Sequence, residues 1–394
     1  MKVEIAKPSS FLKPLYVPQY TMLGPGPTNC HPRVMHAMSL PMISPIHDEA
    51  YQLLDEIKEG VRYILQTKYD LTMVISTSGN GAMEAAICNL AEPGETVAIA
   101  INGMWSIRAA DIAEKQGTNV IRTEKTPGDV FTLDDIEQTL KEHKPVLLYL
   151  VLGESSTGTL QPMEGVGDLC HRYNCLLVLD CVPSIAVVPV YTDEWGVDVV
   201  IGSSQKGLSC PPGLAPIAFS PRAVKKIMSR KSPGPVRYFD AITLGKYWGC
   251  FGDKERLYHH TLPLSLYYAL REGIALVVEE GLENVWERHR MCHKLLVDGL
   301  KKLGVDFFVK DEKLRFPGIT TICLPGTDLK LVYDYILKKH STEIGPGAGP
   351  TSGRALRIGT LGYNAKPHIV EHILKVLKDA LEYAKHAQKE KILK

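Results

Sequence analysis

The sequence lacks any pattern that would pair its cysteines. Nine are scattered through 394 residues, an odd number, and none stands in a C-x-x-C pair. Several lie inside apolar runs such as Cys175-Leu176-Leu177-Val178-Leu179, which reads as reduced, buried thiols in an intracellular protein and excludes a disulfide framework. No uncharged apolar stretch approaches the roughly 18 residues needed to cross a bilayer. The opening Met1-Lys2-Val3-Glu4-Ile5-Ala6-Lys7-Pro8 has no apolar h-region, so a secretory signal is not expected. The last three residues, Ile392-Leu393-Lys394, do not form the S-K-L peroxisomal address. Charge of one sign is also missing: the formal net charge is +1, so nothing favours nucleic acid or an anionic membrane as partner. There is no G-x-x-x-x-G-K-[ST] phosphate loop, and no well-placed G-x-G-x-x-G with an acidic residue downstream. A nucleotide P-loop and a dinucleotide fold are therefore unsupported. Internal repeats and low-complexity segments are absent as well.

What is present is an ordinary globular composition, 45% apolar and 23% charged, in a chain long enough for about two domains. Residues 1–20, with prolines at 8, 14 and 18, read as an irregular arm of the kind that lies across a partner. From there the pattern alternates, and we divide it into a large domain over 21–263 and a small domain over 264–394. Leu53, Leu54, Ile57, Val61, Ile64 and Leu65 recur at helical spacing. Strands are expected at Met73–Ile75, Val97–Ile101, Val146–Leu152, Leu176–Leu179, Val199–Ile201 and Leu214–Phe219. Helices are expected at Ala82–Leu90, Leu133–Glu142 (opened by a capping box of Thr132 and Asp135) and Gly165–Tyr173. Continuous apolar strands between helices mean an α/β fold with a mostly parallel sheet covered on both faces. In the second unit, helices Leu264–Gly281 and Glu283–Leu303 precede strands near Ile319–Leu324 and Ala355–Gly359, and the helix Pro367–His386 closes the chain.

Parallel sheets bind ligands at the carboxyl ends of their strands, so the polar residues there are the candidates. Asp180 directly follows the apolar strand Leu176–Leu179, where a carboxylate is either a functional anion or a cap for the next segment. Lys206 follows the next strand, in Gly202-Ser203-Ser204-Gln205-Lys206-Gly207. A lone lysine is ordinarily a solvated surface charge; this one lies between small-residue runs and apolar strands. A dry setting lowers its pKa and makes it a nucleophilic amine able to form Schiff bases. Ser78-Gly79-Asn80-Gly81 joins a strand to a helix, either as a plain N-cap turn or as a phosphate cradle at a helix N-terminus. Trp105 is either core or a flat platform for a heteroaromatic ring. Glu154-Ser155-Ser156-Thr157-Gly158 offers hydroxyls at the same rim. Arg357 is the single charge in the apolar Ala355-Leu356-Arg357-Ile358-Gly359, so it pairs with an internal carboxylate or waits for a substrate's.

Together these segments resemble the class V aminotransferases of the pyridoxal-phosphate-dependent fold type I, over nearly the whole chain. The resemblance rests on Gly24-Pro25-Gly26-Pro27-Thr28-Asn29, Gly153–Gly158, Leu179-Asp180-Cys181-Val182-Pro183-Ser184, Gly202–Lys206, Tyr258-His259-His260-Thr261 and Leu356-Arg357-Ile358-Gly359. Within the family it is nearest to the group that moves amino groups from alanine or serine to glyoxylate or pyruvate. The resemblance implies pyridoxal 5'-phosphate as cofactor, held by Lys206 as a Schiff base, with Asp180 on the pyridinium nitrogen. It implies Trp105 stacked on the ring, Val182 beside it, and Ser78, Gly79, Asn80 and Gln205 on the phosphate. Ser155 would lie near ring and substrate, Gly26 against the substrate, and Arg357 on the substrate carboxylate. Tyr258 and Thr261 would reach the phosphate of a neighbouring subunit, giving a homodimer with shared active sites and an N-terminal arm around the partner. Peroxisomal residence is implied in the same way, with cytosol and mitochondrion as alternatives. Asn80 stands where many relatives carry histidine, and it can still hydrogen-bond a phosphate.

The expected activity is transamination of L-alanine with glyoxylate, giving pyruvate and glycine. Transamination of 3-hydroxykynurenine or a serine–pyruvate exchange is the alternative. Ile43-Ser44-Pro45-Ile46-His47, expected to face the substrate from the other subunit, offers neither an aromatic nor an amide to an aryl substrate, which favours small ones. A cysteine desulfurase needs a cysteine on a mobile loop, and Cys323 lies in an apolar strand. A scaffold without catalysis is hard to reconcile with Asp180, Lys206 and Arg357 together.

Overall fold

The computed structural model describes residues 5–393 apart from Pro235 and Lys254. Residues 5–20 carry one short 3-10 turn, Ser9–Leu12, and none of them is buried. Phe11, Leu15 and Tyr16 stand 84–91% exposed, a set of large apolar groups with nothing among the described residues to cover them. The short strand β1 (Thr21–Leu23) leads to helices α1 (Pro32–Ala37) and α2 (Asp48–Leu65). Strands and helices then alternate: β2 (Leu71–Ile75), α3 (Gly79–Leu90), β3 (Thr96–Ile101), α4 (Met104–Lys115), β4 (Asn119–Glu124), α5 (Leu133–His143), β5 (Leu147–Val151). A hairpin of β6 (Gly153–Glu154) and β7 (Thr159–Leu160) precedes α6 (Val166–Arg172), β8 (Leu176–Asp180), β9 (Val199–Ile201), β10 (Ala215–Phe219), α7 (Pro221–Met228) and α8 (Ala241–Tyr247). The long helices α9 (Leu264–Glu280) and α10 (Leu282–Lys302) follow. The chain ends through β11 (Asp306–Phe307), β12 (Ile319–Cys323), α11 (Leu329–His340), β13 (Thr342–Pro346), β14 (Leu356–Gly359) and α12 (Pro367–Leu393).

The large sheet has seven strands in the order β2-β10-β9-β8-β5-β3-β4. Every residue of β2, β5, β8, β9 and β10 is buried, as strands covered on both faces by helices must be. Pairings among β4, β3, β5, β8 and β9 are parallel, while β10 runs antiparallel to both β9 and β2. The reversal at β10 leaves β2 parallel in sense to the rest. The carboxyl ends of β2, β3, β5, β8 and β9 therefore open onto one rim of the sheet, and the connection from β9 to β10 folds back over it.

The second sheet has the order β1-β13-β14-β12-β11. Its packing divides the chain differently from 21–263 and 264–394. Strand β1 pairs in parallel with β13, and Leu23 is buried in the second core with Ile344, Leu356 and Ile358. Helix α9 and the start of α10, through Leu264, Leu270, Ile274, Leu282 and Val285, belong to the first core, whereas Cys292, Leu296 and Leu300 of the same α10 belong to the second. Three residues of β1 are too few to show a period, and one helix serving both cores carries no break that a sequence pattern reveals. Further elements were not expected, among them α4, β4, α11 and β13. Helix α4 buries small Ala109, Ala110 and Ala113, and β4 is a half-exposed edge strand. The other two, α11 and β13, are separated from each other only by Ser341 in a left-handed conformation.

The capping box at α5 has the expected form. The Thr132 amide and hydroxyl both donate to Asp135 Oδ2, at 2.8 and 2.7 Å, and the Asp135 amide donates to Thr132 Oγ1 at 3.2 Å. Removing this cap costs about 1 kcal/mol of local helix stability. Thr132→Ala is expected to speed amide hydrogen exchange in the first turns of α5 by roughly fivefold, leaving β5 and β8 unchanged. Unchanged exchange in α5 would show that the box does not hold the helix start.

Candidate active site

Lys206 lies in the connection that folds back from β9 to β10. That connection is closed by the Ser204 amide donating to Leu214 O at 3.0 Å and the Gly202 amide donating to Pro216 O at 2.8 Å. The lysine is buried at 8% exposure, and its Nζ donates to the carbonyl of Pro25. Gly26, at φ +102°, passes so close that a side chain there would fall on the lysine chain itself. Among the described residues no carboxylate lies within ion-pairing distance of Nζ. Burial, helped by the positive charge of Arg357, pulls the ammonium pKa down to about 8, against the smaller opposing pull of Asp180 and Glu343. A neutral, nucleophilic amine is therefore accessible near physiological pH.

Asp180 ends β8 at 2% exposure. Its Oδ2 accepts from the Tyr149 hydroxyl at 2.8 Å and its Oδ1 from the Val182 amide at 2.8 Å. Burial pushes this carboxyl up to about 6, while the Val182 amide, the Tyr149 hydroxyl and Lys206 pull it back. A carboxylate held in this way is set to receive a cationic donor.

Between these two groups opens a cleft with about 640 Å³ of empty space. Nine residues singled out from the sequence line it together: Ser78, Gly79, Asn80, Trp105, Ser155, Asp180, Val182, Gln205 and Lys206. One end is polar. Ser78 is the N-cap of α3 but its hydroxyl makes no capping bond, so the helix presents free amides there. Asn80 Oδ1 and Gln205 Oε1 are buried without any partner. Amide oxygen and nitrogen are exchangeable by a flip, so both side chains can offer N–H to an anion at the helix N-terminus. Two orphaned amides beside free helix amides suit a phosphate. At the other end Trp105 presents its indole, whose Nε1 donates to Ser155 Oγ at 2.6 Å while Arg108 lies 5.7 Å from the ring centroid. A phosphate end, a flat aromatic, a buried carboxylate and a buried lysine are the parts that pyridoxal 5'-phosphate requires, and the residues present fit it.

Arg357, on β14 at 8% exposure, is in contact with this wall without lining the cleft. Its Nε donates to Pro346 O and its NH1 to Ser155 O, each at 2.9 Å. No carboxylate lies within 4 Å among the described residues, so the internal ion pair that the sequence left open is not formed. Burial pulls the guanidinium down to about 10, with Glu154 and Glu343 opposing from a distance. Tyr258 and Thr261 do not line the cleft. Both are exposed, with their hydroxyls 2.7 Å apart.

Three groups of the site escaped the sequence reading. Tyr149 is one apolar-looking position in the run Leu147–Val151. Glu154 was seen only as a neighbour of hydroxyls. Glu343, which accepts from the Gly24 amide at 2.9 Å and is pushed up by burial, lies in an unexpected strand. Register alone would have revealed Glu343: Gly345 opposes Arg357, so residue 343 shares the face of that arginine.

The amine of Lys206 gives the site a pH signature. In the cofactor-free protein, trinitrobenzenesulfonate modification of Lys206, followed by peptide mapping, should titrate with a midpoint near 8. Arg357→Ala removes a neighbouring positive charge and should move that midpoint upward. A midpoint near the ordinary lysine value in both proteins would show that burial does not tune the amine.

The family model for "Aminotransferase class-V" matches residues 27–353. The chain is 47% identical to the alanine–glyoxylate aminotransferase of Rattus norvegicus over 381 residues, 96% of this chain and 92% of the rat protein. A solved alanine–glyoxylate aminotransferase from Nostoc superposes with a TM-score of 0.92 at 40% identity, covering 96% of this chain and 100% of that one. A ureidoglycine–glyoxylate aminotransferase from Bacillus subtilis gives 0.91 at 35% identity, covering 95% of each chain.

Proposed function

The chain belongs to the class V aminotransferases, and on that premise we propose that it transfers the amino group of L-alanine to glyoxylate, giving pyruvate and glycine, with pyridoxal 5'-phosphate carried on Lys206. One observation carries the reading: the buried Lys206 amine and the buried Asp180 carboxylate face one cleft with a phosphate-suited end, and Arg357, without a carboxylate partner among the described residues, holds the wall of that cleft through Ser155 O. The named activities of the rat and Nostoc relatives supply the substrate pair, and the Bacillus relative shares glyoxylate with them.

In this reading Ser78, Gly79, Asn80 and Gln205 hold the phosphate, Trp105 and Val182 hold the ring faces, and Asp180 keeps a proton on the ring nitrogen. When bound, the cofactor supplies the electron sink that lets a proton leave the substrate Cα. Arg357 receives the substrate carboxylate through its unbonded nitrogen and orients the Cα–H bond. Lys206, freed when the amino acid binds, would take that proton as general base and return it on the far side of the substrate nitrogen, a 1,3 shift. Such positioned proton transfer contributes about 10²–10⁴-fold. Gly26, pressed on Lys206, and Ser155, bridging Trp105 to Arg357, confine the substrate. Alanine brings only a methyl group and glyoxylate no side chain, which suits Pro45 and Ile46, where an aryl substrate would find no aromatic or amide partner. Cys323 is half-buried in β12 opposite Asp306 and does not line the cleft, which speaks against desulfurase chemistry.

We extend the reading to a homodimer with shared sites. The uncovered apolar arm at Phe11, Leu15 and Tyr16 supports it, as do the Tyr258 and Thr261 hydroxyls held together on the outside. Peroxisomal residence belongs to the same reading by resemblance, and co-localisation of the tagged protein with a peroxisomal marker tests it against cytosol and mitochondrion.

Steady-state rates should be highest for alanine with glyoxylate, and a larger kcat/KM for 3-hydroxykynurenine or for serine with pyruvate would replace the substrate assignment. Lys206→Ala should lose at least about 10²–10⁴-fold in turnover. For Arg357→Ala, KM should rise far more for alanine than for ethylamine, since only alanine brings a carboxylate. Equal losses for both would remove the carboxylate role.

A further inference from the structure

Glu154 is fully buried, its carboxylate makes no ion pair among the described residues, and the chemistry above does not use it. An isolated carboxylate in such a place is expensive unless its oxygens are taken by donors. They are. Oε1 accepts from the Ser156 amide at 2.9 Å and the Ser156 hydroxyl at 2.6 Å, and Oε2 accepts from the Trp105 amide at 3.2 Å.

These donors identify what the group is for. Helix α4 starts at Gly103, which has no side chain to cap it, and a Cβ there would collide with the Glu154 carboxylate. The cap comes from another strand end instead. Ser156 Oγ accepts the Met104 amide at 3.0 Å, and Glu154 accepts the next one, from Trp105. The negative carboxylate also meets the positive end of the α4 dipole. The first turn of α4 is the turn that carries the Trp105 indole into the cleft. The same short segment is gripped from the side of the second sheet, because Ser155 O accepts from Arg357 NH1 of β14 at 2.9 Å and Ser156 O accepts from Thr351 Oγ1, in the 3-10 turn between β13 and β14, at 2.8 Å.

We propose that Glu154 is a positioning residue, which through the 154–156 turn fixes the Trp105 ring and the Arg357 guanidinium relative to one another. It touches neither cofactor nor substrate. The proposal rests on the reading of the cleft as a pyridoxal 5'-phosphate site. It adds that ring stacking and carboxylate recognition share one rigid joint, so that loosening the joint weakens both at once.

Glu154→Gln keeps the length of the side chain and one oxygen. That oxygen can retain both Ser156 bonds, which turns the amide NH2 toward the Trp105 N–H, donor against donor. Three readouts are expected to move together: pyridoxal 5'-phosphate binding about tenfold weaker, the visible circular dichroism of the bound cofactor reduced, and KM for alanine about tenfold higher. The far-ultraviolet spectrum should stay unchanged. A merely structural role would lower the melting temperature and leave cofactor affinity, dichroism and KM at wild-type values, and that result overturns the proposal. Should E154Q fail to fold, Ser156→Ala removes the Met104 acceptor and one Glu154 donor while keeping the carboxylate. The same changes at smaller size support the joint, and wild-type values in S156A overturn it. Wild-type protein that binds no pyridoxal 5'-phosphate would overturn the cofactor reading and the proposal together. Wild-type binding with unaffected variants overturns the proposal alone.

Discussion

The site depends on keeping the Lys206 amine out of water without pairing it to a carboxylate. An ammonium buried in that way is unfavourable by several kcal/mol, and the protein meets the penalty by lowering the pKa and by giving Nζ the Pro25 carbonyl to donate to. The surrounding backbone is arranged for this. Strand β10 turns back antiparallel so that the connection carrying the lysine covers the rim. The Gly24–Pro27 segment closes over it from β1, and Gly26 has φ +102° where any side chain would strike the lysine.

The same burial acts in opposite senses on neighbouring groups. It pulls Lys206 and Arg357 down and pushes Asp180 up, so each drifts toward its neutral form while no ligand is present. A ligand carrying a cationic ring nitrogen, a phosphate and a carboxylate supplies the partner that each end of the cleft is missing. Binding energy and catalytic readiness therefore share one source: charges desolvated and oriented before the ligand arrives.

Much of this was legible in the chain, and for a physical reason. A continuous apolar strand must be buried on both faces, so the polar residue at its carboxyl end is forced to the rim. Asp180 after Leu176–Leu179 and Lys206 after Val199–Ile201 could be located by that rule. The resemblance then added roles for Ser78, Trp105 and Gln205 that spacing alone does not give. Where the signal was weak, the reading went astray in proportion. Helix α4 is stitched down by alanines and capped by residues fifty positions away, so neither its face nor its start shows locally. Strand β1 has only three residues and takes its meaning from a partner at Thr342–Ile344. Glu154 and Glu343 matter through their neighbours in space, and a carboxylate in a polar-looking segment carries no mark of being buried.

The most direct test of the account is reductive trapping. Protein reconstituted with pyridoxal 5'-phosphate is treated with borohydride, digested, and the modified peptide sequenced by mass spectrometry. The account predicts loss of the visible band and one stoichiometric phosphopyridoxyl group on Lys206. A label on another lysine, or none with the cofactor bound, would contradict it.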